Sequence, residues 1–172
     1  LFGSICKKYI PVRDVSTVQW AMREAYRTAK TGRPGPVVVD LYRDVIEEQK
    51  AEYIPESPEN YCVLPECVAA DESVEAAKNI IKKHKKVCLW IGNGVKIAKA
   101  SEEVKELSRI LNAPIVCTYN GIAAVESAFE NLVGPRSRHG SKVTRAAIEE
   151  AECVVVIGST LTAISTNRWD IK

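Results

Sequence analysis

A strand, a glycine turn and a helix recur along this chain, and that alternation calls for a parallel sheet with helices packed against it. Val87-Cys88-Leu89-Trp90-Ile91 is an apolar run that ends in the turn Gly92-Asn93-Gly94. A helix follows from about Ser101 to Leu111, with Val104, Leu107, Ile110 and Leu111 facing in. Pro114 to Thr118 reads as the next strand. The stretch from Gly121 to Gly140 is mostly loop, with room for a short helix around Glu126, and Ser141 to Ala151 is a helix. Cys153 to Ile157 then forms a third strand that ends at Gly158. A sheet of this kind usually has more strands, so the domain is expected to be incomplete at its C-terminal side.

Upstream, Asp14-Val15-Ser16-Thr17 offers an N-terminal cap to a helix whose apolar face is Val18, Ala21, Met22, Ala25, Tyr26 and Ala29. The helix stops in TGRPGPVVVD, Thr31 to Asp40. Gly32 can adopt the left-handed conformation of a helix terminus, and Pro34 cannot continue a helix. Pro36-Val37-Val38-Val39 reads as a strand covered on both faces. From Glu47 to Ala70 the composition shifts to acidic and polar residues with Pro55, Pro58 and Pro65, the pattern of a linker running over a surface. Asp71 or Ser73 then caps a helix carrying Val74, Ala77, Ile80 and Ile81. The expected organisation is a partial α/β segment over residues 1–45, a linker over 46–70, and a Rossmann-like, doubly wound parallel sheet over 71–172.

Composition narrows the function classes. The 24 basic and 22 acidic side chains are interspersed and leave a net charge of +2. No basic block or aromatic ladder points to nucleic acid, and no apolar run is long enough to span a membrane. The chain begins Leu1-Phe2-Gly3, without the charged start and apolar core of a signal peptide. Of the 6 cysteines, Cys88, Cys117 and Cys153 fall inside strands, where a free thiol behaves as a small apolar residue. Cys62 and Cys67 have neither a zinc-knuckle spacing nor a histidine nearby. Reduced thiols in a cytoplasmic protein are the expectation.

Ligands of open parallel sheets lie beyond the carboxyl ends of the strands, which directs attention to three places. Gly92-Asn93-Gly94 can let backbone N–H groups approach a phosphate, or can simply be a tight turn. Thr118 and Tyr119 follow the second strand, and Gly158-Ser159-Thr160 the third. Arg136, Arg138 and His139 precede a helix and suit a diphosphate, or equally a solvated loop. No nucleophile–base pair or carboxylate pair suggests catalysis, and no metal ligand is assigned.

As a string, TGRPGPVVVD followed by Leu41 and Arg43-Asp44-Val45 resembles the end of the pyrimidine-binding domain of thiamine-diphosphate-dependent enzymes, the acetolactate synthase group above all. The second half is similar to that group's central domain. Trp90 to Val95 matches its strand and glycine turn, and Pro114 to Thr118 its Pro-Val strand ending in threonine. His139-Gly140 looks like its His-Gly pair opening a helix, and Ala151-Glu152 with Val154 to Gly158 like the step into the next strand.

This resemblance implies a piece of a 2-keto acid decarboxylase or carboligase, a lyase or transferase that uses thiamine diphosphate and Mg²⁺ held mainly outside this chain. It implies a homo-oligomer, dimer or tetramer. In that family the central domain binds FAD, ADP or nothing, and the ligand would lie on Gly92, Asn93, Gly94, Thr118, His139, Gly140 and Gly158. The FAD-binding members carry an arginine soon after the third-strand glycine. This chain has Gly158-Ser159-Thr160-Leu161 and no charge until Arg168. A stand-alone nucleotide-binding module is a second reading, but Thr118-Tyr119-Asn120 lacks the acidic ribose-binding residue it needs, and Glu126 is a poor substitute. A purely structural domain is the third.

Overall fold

The computed structural model describes residues 2–63, 67–137 and 140–169. The chain divides into two compact units, Leu1–Val68 and Ala69–Lys172.

In the first unit, β1 (Lys8–Val12) leads through a 3₁₀ turn (Val15–Thr17) into α1 (Val18–Lys30), and β2 (Val37–Leu41) returns parallel to β1. Two short helices, α2 (Arg43–Glu47) and α3 (Pro58–Tyr61), follow. Asp14 caps the 3₁₀ turn by accepting the Ser16 N–H at 2.8 Å. Gly32 ends the helix with φ +60°, and the Lys7 ammonium donates to the carbonyls of Thr31 and Arg33 at 2.6 and 3.0 Å. Those bonds hold the turn between α1 and β2 against the start of β1. Ile10, Val12, Ala21 and Val45 are the core. Among the described residues the sheet has two strands, and β2 is half-buried along its length rather than enclosed.

Only part of the expected helix face points inward. Met22 and Tyr26 of α1 are 54% and 41% exposed, and with Tyr53 and Tyr61 they line a cavity of about 460 Å³. The proline-rich segment is tied to this face. Gln19 and Arg23 both donate to the Ile54 carbonyl, Arg23 pairs with Glu56 at 2.5 Å, and the Tyr26 and Tyr61 rings meet edge-on.

The second unit opens with α4 (Asp71–Ile81), in which Asp71 is the first helical residue and no side chain caps the terminus. Then come β3 (Val87–Ile91), α5 (Asn93–Ala98), α6 (Ser101–Leu111), β4 (Ile115–Cys117), a 3₁₀ turn (Tyr119–Gly121), β5 (Leu132–Pro135), α7 (Lys142–Glu149) and β6 (Cys153–Ile157). The strands lie in the order β5-β4-β3-β6, all parallel. Side chains alternate across β3. Val87, Leu89 and Ile91 pack with Val104 of α6, while Cys88 and Trp90 pack with Ile148 of α7. Both faces are thereby covered, which is why β3 reads as an unbroken apolar run.

Four local expectations need correction. The segment read as loop contains β5, and α5 follows the glycine turn directly. β5 is a four-residue edge strand carrying Gly134 and Pro135, a place where proline is tolerated because its missing donor would face outward. No helix forms around Glu126. Ile110 is 71% exposed rather than inward.

Candidate functional site

The chain steps from β3 to β4 and β5 on one side, then returns to place β6 on the other side of β3. The switch point of the sheet is therefore the carboxyl end of β3 and β6, where parallel sheets hold their ligands. Gly92 leaves β3 there and Gly158 leaves β6.

These glycines are packed on one another. The Gly92 N–H donates to the Ile157 carbonyl and the Gly94 N–H to the Gly158 carbonyl, each at 2.8 Å. A Cβ on Gly92 would lie 2.3 Å from the Gly158 oxygen, and one on Gly94 2.6 Å from the Gly158 Cα. Gly158 itself has φ +61°, and a Cβ there would stand 2.7 Å from the Val95 nitrogen. Glycine at these positions lets two backbones touch, and the two N–H groups that a phosphate would need already have protein acceptors. Asn93 is exposed at the start of α5. The N–H groups of Gly92 and Gly94 are thus used within the fold.

Thr118, at the end of β4, is buried. Its N–H donates to the Ile91 carbonyl at 2.9 Å, and its hydroxyl accepts the Gly121 N–H at 3.1 Å, capping the 3₁₀ turn. Gly121, which the sequence reading did not single out, belongs to the same contact, since a Cβ on it would lie 2.8 Å from the Ile91 oxygen. A glycine so soon after a strand was the available signal. Gly140 closes a turn onto the end of β5, its N–H donating to the Ser137 carbonyl at 3.0 Å. His139 and Arg138 lie outside the described residues.

Beside the glycines, a groove of about 800 Å³ runs along the carboxyl ends of β3, β4 and β5, with Ile91, Cys117, Ile122, Val125 and Pro135 in its lining. Burial raises the Cys117 thiol and pushes that of Cys88 up to about 11, so neither is a thiolate nucleophile at neutral pH. The rim is pinned by Lys105, whose ammonium meets Glu102 at 2.7 Å and Glu126 at 2.9 Å. These carboxylates raise the Lys105 pKa, and Lys105 holds Glu126 below the usual range. Glu126 is a structural ion-pair partner in this fold.

Arg136 follows β5 and is not part of a solvated loop: it is 5% exposed. Its N–H donates to the Cys117 carbonyl at 2.7 Å and its Nη1 to the Ser137 carbonyl at 2.7 Å. The Ser137 hydroxyl donates to the Tyr119 Oη at 3.0 Å. Among the described residues, no group of three or more His, Cys, Asp or Glu is arranged to hold a metal ion, and no helix is long and apolar enough to cross a membrane.

The strand order and the glycine-lined carboxyl edge define a Rossmann-like α/β domain. Residues 74–172 match the family described as thiamine pyrophosphate enzyme, central domain. The chain belongs to that family. It is 30% identical over 149 residues to the acetolactate synthase isozyme 2 large subunit of Escherichia coli (strain K12), a match covering 86% of this chain and 26% of that protein. The isozyme 3 large subunit of the same strain is 26% identical over 166 residues, covering 95% of this chain and 29% of that protein. The acetolactate synthase of Mycobacterium bovis is 26% identical, covering 96% of this chain and 27% of that protein. The chain spans about a quarter of the length of these relatives.

Proposed function

We propose that this chain is the middle part of a thiamine-diphosphate-dependent 2-keto acid decarboxylase and carboligase of the acetolactate synthase type. Residues 1–45 correspond to the end of the pyrimidine-binding domain, the proline-rich residues 46–70 to the linker, and residues 71–172 to the central domain. The observation that carries the reading is that similarity to acetolactate synthases runs through both units, over 86% to 96% of the chain.

In the intact enzyme thiamine diphosphate supplies an electron sink for the carbanion left by decarboxylation. Its main sites, and that of Mg²⁺, lie in parts of the enzyme other than this chain. The role of the residues here is to position: the sheet fixes the spacing between neighbouring domains, and the apolar groove excludes water from whatever it covers. We further assign the intact enzyme to the cytoplasm as a homo-oligomer. A central domain without a nucleotide, as in another branch of thiamine-diphosphate enzymes, is a second reading, favoured by the mutual packing of Gly92, Gly94 and Gly158. A ligand of this domain, FAD included, would rest on the side of Thr118, His139 and Gly140 rather than on the glycine turn.

The class is tested on the polypeptide in which this segment occurs. Saturable binding of thiamine diphosphate with Mg²⁺, and CO₂ release from a 2-keto acid that requires both, is the expected result. A folded polypeptide that binds no thiamine diphosphate would overturn it.

A further inference from the structure

We propose that the cavity between α1 and the proline-rich segment is a binding site for a small organic cation, a substituted ammonium ion carrying an apolar body. The cavity measures about 460 Å³, a volume typical of small-molecule sites. It lies wholly within the first unit. The helix contributes Met22 and Tyr26 to its lining, and the proline-rich segment contributes Tyr53 and Tyr61. The two sides are tied together by the fold itself. Gln19 and Arg23 both donate to the Ile54 carbonyl, and Arg23 pairs with Glu56 at 2.5 Å. Walls held in this way have less freedom to lose when a ligand enters.

The lining selects charge as well as shape. The face of a tyrosine ring is the negative end of its quadrupole and attracts cations. Two of the three rings show that attraction within the fold. The Arg23 guanidinium stands 5.7 Å from the Tyr61 centroid, and the Lys30 ammonium 5.1 Å from that of Tyr26. Tyr53 is 74% exposed, and no cation or second ring among the described residues lies over it. Of the charged side chains in the lining, Arg23 and Glu56 neutralise one another. Glu52, the neighbour of Tyr53, forms no ion pair with a described residue. The cavity thus carries one uncompensated carboxylate and one unmatched aromatic ring side by side in the chain. An anion meets repulsion there, and a neutral molecule makes no use of Glu52. A substituted ammonium uses the carboxylate, the ring face and, through its apolar body, the Met22 thioether. The proposal concerns the first unit alone and does not depend on the acetolactate reading.

The test is titration of the 172-residue chain with benzyltrimethylammonium, benzyl alcohol and phenylacetate, which share a benzyl body and differ in charge. Binding is read by ligand-detected NMR and paired with thermal melts. The ammonium is expected to bind at least about fivefold more tightly than the alcohol, and phenylacetate most weakly. Glu52→Gln should weaken the ammonium about threefold and leave the alcohol unchanged. Tyr53→Leu, which keeps apolar area and loses the π face, should weaken the ammonium about threefold, and Tyr53→Phe should restore it. Both side chains are exposed, so none of these variants should shift the melt. Should the chain alone not melt cooperatively, the same titrations are read on the polypeptide in which this segment occurs. Failure of the folded protein to bind the ammonium overturns the proposal. So does equal affinity for the ammonium and the alcohol, tighter binding of phenylacetate, or an ammonium affinity unmoved by both Glu52→Gln and Tyr53→Leu.

Discussion

Gly92, Gly94 and Gly158 look like a ligand turn in the sequence and act as a backbone seam in the structure. Local sequence tells that a turn follows each strand. It does not tell whether the turn's N–H groups face a ligand or a neighbouring strand, because that depends on which strand lies alongside, and β6 is 66 residues further on from β3 at Val87↔Cys153. The same limit hid the burial of Arg136, which comes from its position at the end of an unrecognised strand. Two glycines separate crowding from conformation. Gly32 has φ +60° with nothing within 4 Å of a Cβ, whereas Gly158 has φ +61° and a Cβ 2.7 Å from the Val95 nitrogen. Gly32→Ala should cost about 1 kcal/mol, the left-handed penalty alone. Gly158→Ala should cost at least about 3 kcal/mol, because the backbone seam must also open. Denaturant unfolding of each unit reads both values, and equal costs would refute the seam.

Among the elements, α6 and β6 were legible to the residue because both carry strong patterns between clear stops. β5 was not, since four residues ending in Gly134-Pro135 resemble a loop in every local respect and become a strand only by pairing with β4. The joining of β3 and β6 at their starts is also non-local. The Glu152 carboxylate accepts the N–H groups of Lys85 and Lys86 at 2.8 and 3.4 Å, and those backbone bonds lower its pKa. A lowered carboxylate pKa stabilises the fold above the unfolded value, about 4.3 for glutamate, and the contribution is lost as pH falls through the folded value. Glu152→Gln should therefore melt below the unaltered chain at pH 7, and the two melts should converge as the pH is lowered past 4. A constant gap across that range would mean that the charge of Glu152 plays no part.

At the scale of the whole molecule, the α/β class and the parallel order of the second unit followed from the alternation of strands, glycine turns and helices. The packing of the proline-rich segment onto α1 did not, because its anchor is the Ile54 carbonyl, a backbone group with no sequence signature. The two units have separate cores, so residues 69–172 produced alone should melt cooperatively. A broad, non-cooperative transition would mean that the second core needs the first unit. The proposed acetolactate chemistry would be completed by parts of the polypeptide other than this chain. Its most direct test supplies the polypeptide bearing this segment with pyruvate, thiamine diphosphate and Mg²⁺ and identifies the product by NMR. Acetolactate is expected, formed only with thiamine diphosphate present, and none from the 172-residue chain by itself. Release of free acetaldehyde without acetolactate, or no consumption of pyruvate by a polypeptide that binds the cofactor, would contradict it.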